Sequence, residues 1–200
     1  MISIIDYGAG NLRSIENALK KVGAEAIVSK VIDQSADAIV LPGVGHFGDA
    51  MEKLEPLREG LLDALGSGKP FLGLCLGLQV LYEGSEEAPG VKGLGILKGK
   101  CLRFKEVSCG KVPHMGWSQI SLASSVLSPP FKGIKTGENF YFVHSYYAPL
   151  SKATVASCDY GVKFSAAVQR KNIFACQFHP ERSGEAGLRV LKNFVEEIKR

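Results

Sequence analysis

The sequence predicts an α/β fold, a mostly parallel open sheet flanked by helices with an antiparallel or mixed extension. Three observations carry that expectation. The first 83 residues alternate short apolar runs with amphipathic stretches, the pattern of parallel strands covered on both faces. From Gly84 on, β-like runs are separated by Gly, Asn, Asp and Pro, which suits antiparallel pairing. Hydrophobic residues fill 46% of 200 positions and charged ones 22%, enough to build a substantial core.

Each element follows from local pattern. Residues 2–5 (Ile-Ser-Ile-Ile) form a short strand. Leu12, Ile15, Leu19 and Val22 then recur at helical spacing, and Gly23 supplies a C-terminal stop. Residues 26–31 and 36–41 are further strands. Beyond Gly48, Met51, Leu54, Leu57, Leu61, Leu62 and Leu65 keep a helical rhythm that Pro56 breaks or restarts. Residues 71–74 form a buried strand, 76–82 a short helix, and 84–90 a loop. Strands are expected at 99–104, 139–147, 153–158 and 173–178. A final helix spans 185–198, with Leu188, Leu191, Phe194, Val195 and Ile198 on one face. No linker or repeat divides the chain, so one domain over 1–200 is expected.

Composition removes several functions. The balance of 24 basic against 20 acidic residues, a net +4, lacks the clustered Lys/Arg and interleaved aromatics that nucleic acid demands. Five cysteines are an odd count without CxxC spacing, which argues against a disulfide framework or zinc site. No apolar stretch reaches the ~18 residues of a membrane span. The N-terminus has no secretory pattern. A cytoplasmic protein without metal or cofactor is expected.

The richest stretch is Gly73-Leu74-Cys75-Leu76-Gly77, where an apolar strand ends and a helix begins. Glycine two residues before and two after is the nucleophile-elbow pattern, with cysteine as the nucleophile. Such a turn presents Cys75 at the carboxyl edge of the sheet and at a helix N-terminus, which favours the thiolate. It also aims the Leu76 N–H where an oxyanion would form. The other four cysteines read as buried bystanders. His179 follows the strand at 173–178, and Pro180 biases it toward extended backbone. Glu181, two residues on, then projects to the same side and can orient the imidazole. Cys75, His179 and Glu181 complete a triad by role.

Residues 43–48 read Gly-Val-Gly-His-Phe-Gly, a literal G-x-G-x-x-G. The motif follows the third strand, Pro42 intervenes, and Asp63 lies inside a helical stretch rather than at a strand end, so a dinucleotide site is a weak reading. The glycines better serve to turn a backbone N–H of Val44 or Gly45 toward the thiol as a second oxyanion donor.

Residues 73–79 together with Phe178-His179-Pro180-Glu181 resemble the triad-type, class I glutamine amidotransferases. Residues 7–11 (Tyr-Gly-Ala-Gly-Asn), 41–48, 113–117 (Pro-His-Met-Gly-Trp) and 142–146 look more narrowly like the branch that forms glutaminase subunits of imidazole glycerol phosphate synthase. The resemblance implies a flavodoxin-like amidotransferase fold. It also implies attack of Cys75 on the glutamine side-chain amide, and a thioester that water then hydrolyses. Gly43, Gln79, His144, Ser145 and Tyr146 would hold the glutamine. Little of the chain is left for synthesis, so ammonia must pass to a separate subunit. The resemblance implies a (β/α)8-barrel cyclase in a heterodimer. Asn11, Met115 and Trp117 are candidate interface residues, the last two in a loop. Competing expectations are a glutaminase serving another synthase, a cysteine peptidase, and a non-catalytic amidotransferase-like binding module.

Overall fold

Strand β1 (Ile2–Ile5) is buried at every position and runs parallel to β2 (Ala26–Ser29) on one side and β3 (Ala38–Leu41) on the other. The computed structural model describes residues 1–123 and 128–199. Helix α1 (Leu12–Lys21) links β1 to β2, closes its last turn with Lys20 and Lys21, and ends where Gly23 adopts φ +81°. Helix α2 (Phe47–Leu54) follows β3. Pro56 then sits in a 3₁₀ turn at Glu55–Leu57, where its missing N–H is harmless, and α3 (Arg58–Gly66) restarts the helix. Strand β4 (Phe71–Leu74) pairs parallel with β3, and α4 (Leu76–Gln79) starts directly after Cys75.

The helix expected over 76–82 is therefore shorter. Residues 82–85 leave it as β5 (Tyr82–Ser85), which pairs parallel with β6 (Leu97–Arg103) in a small second sheet. The carbonyls of Val80 and Leu81 are taken by the Leu94 and Leu97 N–H groups, which ends the helical ladder. The expected loop at 84–90 accordingly begins after Ser85.

Beyond the short α5 (Glu106–Cys109), β7 (His114–Leu122) occupies residues expected to form a loop. It pairs antiparallel with β8 (Asn139–His144) in the register His114 opposite His144 and Trp117 opposite Tyr141. Strand β9 (Tyr146–Tyr147) joins β6 in the small sheet. Strands β10 (Thr154–Asp159), β11 (Lys163–Arg170) and β12 (Ile173–Cys176) return to the large sheet, whose order is β2-β1-β3-β4-β12-β11-β10-β7-β8. The half from β2 to β12 is parallel and the remainder antiparallel; β12, expected in the antiparallel or mixed part, instead joins the parallel half beside β4. Strand β11 was not expected. Its centre, Ser165-Ala166-Ala167, is small and poor in β propensity, yet fully buried.

Helix α6 (Gly184–Ile198) packs with α1 on one face of the sheet, burying Val190, Leu191, Phe194 and Val195. Helices α2, α3 and α4 cover the other face with Phe47, Met51, Leu54, Leu61 and Leu78. Burying both faces of the parallel strands leaves their carboxyl ends as the open edge where side chains can converge.

Candidate active site

At the end of β4, Cys75 has φ +54° and ψ −108°, a strained conformation for a residue with a side chain. The flanking glycine shows why the turn is possible. A Cβ on Gly77 would lie 2.1 Å from the Leu41 carbonyl oxygen, so only glycine lets α4 start this close to β3. The Cys75 N–H donates to the Cys176 carbonyl at 2.8 Å, tying the elbow to β12.

The residues after β12 bring the base. The His179 N–H donates to the Tyr141 carbonyl at 2.9 Å, and buried Ser183 donates to the His179 carbonyl at 2.6 Å while accepting from the Tyr141 N–H. The imidazole is thereby fixed in place. His179 Nδ1 lies 2.9 Å from Glu181 Oε1, and the Glu181 side chain is only 2% exposed. A carboxylate can only accept, so Nδ1 carries a proton for Glu181 and Nε2 is the nitrogen left to exchange a proton with Cys75. That Nε2 is buried without a hydrogen-bond partner. Burial would push the imidazole pKa down, but hydrogen bonding and charge from Cys75 and Glu181 more than offset it and lift the pKa to about 10. Cys75, His179 and Glu181 are thus brought together as the sequence predicts.

A cleft of about 290 Å³ opens beside them, lined by Val44, Gly45, Cys75, Leu76, Gln79, His144, Ser145, Tyr146 and His179 among others. Gly43 lies beneath rather than on this surface, where a Cβ would come within 2.7 Å of both Leu76 Cβ and the Tyr7 hydroxyl. His144 also differs from expectation. Its Nδ1 lies 2.8 Å from the Tyr146 carbonyl and its Nε2 3.0 Å from His114 Nδ1, so both ring nitrogens are committed within the protein.

The oxyanion arrangement is corrected as well. The Leu76 N–H, expected to face an oxyanion, donates to the Gly43 carbonyl at 3.3 Å. A first-turn helix N–H has no acceptor within its own helix and takes the nearest carbonyl. In a trans peptide the C=O and N–H point oppositely, so the Val44 N–H on that same peptide faces away from Leu76. Gly45 has φ +101°, a freedom that a reorienting loop needs. The Tyr7 hydroxyl donates to the Pro42 carbonyl at 2.9 Å and anchors the loop's start.

Met115 and Trp117 lie on β7, not in a loop, and are 63% and 56% exposed. The Trp117 ring meets Tyr141 edge-on at 6.1 Å, and Asn11 stands exposed just before α1, making no capping hydrogen bond through its side chain. Two residues at the site escaped the sequence reading. Glu87 lines the cleft and accepts the Phe47 N–H at 2.8 Å. Gln177, fully buried, joins Gln79 to Cys75. Its position two residues before His179 in an extended run was the available signal. Among the described residues no His/Cys/Asp/Glu group has a metal-holding arrangement, and no helix is long and apolar enough to cross a membrane.

Residues 3–198 match the family described as glutamine amidotransferase class-I. Imidazole glycerol phosphate synthase subunit HisH of Methanothermobacter thermautotrophicus is 56% identical over 202 residues, covering all of both chains. The subunit HisH of Methanocaldococcus jannaschii is 48% identical over 98% of this chain and 99% of its own. Two solved structures share the fold. A glutamine amidotransferase crystal structure superposes with a TM-score of 0.76 at 17% identity, covering 100% of this chain and 99% of that one. PurLQS from Thermotoga maritima superposes at 0.75 with 21% identity, covering 98% and 97%. The chain belongs to the class-I glutamine amidotransferase family.

Proposed function

We propose that this chain hydrolyses L-glutamine to glutamate and ammonia through a Cys75 thioester, and passes the ammonia to a separate cyclase subunit of (β/α)8-barrel type. There it would be used to form imidazole glycerol phosphate in histidine biosynthesis. The observation that carries the chemistry is the strained Cys75 at the helix start beside a buried His179–Glu181 pair at 2.9 Å. The near-full-length identity to HisH subunits supports the synthase assignment over a different ammonia acceptor. The whole chain is read as one amidotransferase domain working in the cytoplasm.

In this mechanism His179 Nε2 takes the Cys75 proton as the sulfur attacks the amide carbon. Collapse of the tetrahedral oxyanion breaks the C–N bond, and His179 returns the proton to the departing ammonia. His179 then deprotonates a water, which attacks the thioester and releases glutamate with the Cys75 thiol restored. Glu181 stays ionised, holds the Nδ1 proton and steadies the imidazolium. Glu87 offers the α-ammonium of glutamine a carboxylate in the cleft, with Gln79, Ser145 and Tyr146 around it.

The oxyanion needs the Leu76 N–H, which the Gly43 carbonyl holds. Turning the Gly43–Val44 peptide over would withdraw the carbonyl and bring in the Val44 N–H as second donor. Hydrolysis without an acceptor wastes glutamine, so the cyclase subunit is expected to drive that rotation. Glutamate release should therefore be slow for the isolated chain and at least ~100-fold faster with the cyclase subunit and its substrate, the worth of one oxyanion donor. Equal rates with and without the partner would defeat the control. Wild-type rates in Cys75→Ala would defeat the chemistry.

A further inference from the structure

The nucleophilic sulfur has a neighbour that the triad does not account for. Gln177 is 0% exposed, and its N–H donates to the Ala166 carbonyl at 2.8 Å, anchoring it to β11. Its side chain reaches Cys75, with Nε2 to Sγ at 3.5 Å, while its Oε1 accepts from Gln79 Nε2 at 2.9 Å. Gln79 Nε2 donates a second time, to the Tyr146 carbonyl at 2.9 Å.

This chain has one polarity. A backbone carbonyl only accepts, so Tyr146 fixes the amide of Gln79 with its NH₂ inward. That NH₂ also faces Gln177, so the Gln177 oxygen must face Gln79 and its NH₂ must face the sulfur. A flipped Gln177 would set two NH₂ groups against each other and its oxygen against the thiolate lone pairs. We propose that Gln177 is a further catalytic residue, whose carboxamide N–H hydrogen-bonds the Cys75 sulfur and stabilises its thiolate, in an orientation dictated by Gln79 and the Tyr146 carbonyl. The role rests on Cys75 being the nucleophile.

An uncharged donor suits this place. A buried cation would hold the thiolate too firmly and would need its own counter-charge. An amide cannot accept the proton, so the proton remains with His179. Gln177 lies behind the sulfur and outside the cleft, so it touches the nucleophile and not the substrate. The titratable groups facing the sulfur are His179, Tyr7 from the end of β1, and Cys176 from β12. Burial, the largest cause, pushes Tyr7 and Cys176 upward, helped by the Cys75 charge at Tyr7 and by the Glu181 and then the Cys75 charge at Cys176, so these two stay neutral.

The test is the rate of Cys75 alkylation by iodoacetamide against pH, read by mass spectrometry on the full chain. Gln177→Met preserves shape and removes the donor. It should slow alkylation at pH 7 about tenfold and move the midpoint up by about one pH unit, the worth of a hydrogen bond to a charged group. Glutaminase kcat should fall with KM little changed. Gln79→Met leaves the donor in place and should slow alkylation by less than about threefold. A folded Gln177→Met chain that alkylates with the wild-type rate and midpoint overturns the proposal. Should that variant not fold, the Gln177 side-chain amide resonances of ¹⁵N-labelled protein decide. They should titrate with Cys75 and stop doing so in Cys75→Ser; resonances indifferent to the sulfur overturn it. Alkylation reads the thiolate without reference to glutamine. A wild-type chain that releases no glutamate even with its partner, while the alkylation shift in Gln177→Met is intact, would count against the proposed function alone.

Discussion

Glu181 makes one hydrogen bond, and that bond decides which nitrogen of His179 carries a proton. A glutamine in its place can donate its NH₂ to Nδ1 and so favour the wrong tautomer, leaving the proton on Nε2 where the thiol proton should go. Glu181→Gln should therefore lower kcat by about 100-fold or more with KM within about threefold. Glutamate release in the presence of the partner measures it, and a kcat near wild type would mean the carboxylate is dispensable. At Gly77 the consequence is in folding. With Leu41 O 2.1 Å from the added Cβ, Gly77→Ala must push β3 and α4 apart, costing about 3 kcal/mol in chemical unfolding. Both residues were legible because their chemistry is local, the glycines in the elbow's own five residues and the acid two positions from its histidine. Glu87 and Gln177 were not. A carboxylate in a loop and an amide beside a strand acquire meaning only through what α2 and α4 bring against them.

At the scale of elements, the parallel half of the sheet was readable and β7 was not, for a reason its burial displays. His114, Ser118 and Ile120 point inward while Met115 and Trp117 face solvent, so polarity runs opposite to the usual alternation. The inward histidine is paired rather than stranded. His144 gives its Nδ1 proton to the Tyr146 carbonyl, so its Nε2 accepts from His114 Nδ1, whose Nε2 in turn accepts from the Ser118 hydroxyl at 2.8 Å. This chain works only with both rings neutral. Burial holds His114 down to about 4 and His144 to about 3. The unfolded chain takes up two protons as pH falls below ~6.5 and the folded one does not, so stability drops from pH 6.5 to about 4 through His114 and on to about 3 through His144. The slope is up to about 1.4 kcal/mol per pH unit for each histidine. His179, shifted upward, is already charged in the fold, so it opposes the decline near pH 6.5 and adds no slope below about pH 5.5, where the unfolded histidine is charged too. Denaturant unfolding across pH 4.5–7 should show this decline, and His114→Gln/His144→Gln should flatten it. An equal slope in the double variant would mean the acid sensitivity lies elsewhere.

For the whole molecule, the geometry links an exposed face to the site. Trp117 meets Tyr141 at 6.1 Å, the Arg182 guanidinium lies 5.6 Å from the Tyr141 ring, and Tyr141 lies 6.5 Å from the His179 ring while its carbonyl holds the His179 N–H. Met115 and Trp117, large and apolar, stand more than half exposed on the same strand, the composition of an interface centre. The resting orientation of the Gly43–Val44 peptide could not be read from sequence, since glycine accepts either, and the structure adopts the one that occupies the Leu76 N–H. An exposed apolar face and a closed oxyanion site in one molecule make a separable prediction. Trp117→Ala removes an anchor while leaving Cys75, His179, Glu181 and the Gly43 loop untouched. Glutaminase activity of the isolated chain should then stay within about twofold of wild type. Affinity for the cyclase subunit should fall at least about tenfold, the scale of an interface hot spot. Saturating partner should recover most of the stimulated rate if Trp117 only binds, and little of it if the Trp117–Tyr141 contact also drives the peptide over. Calorimetric titration with parallel glutamate assays separates the two, and unchanged affinity would place the partner on another face.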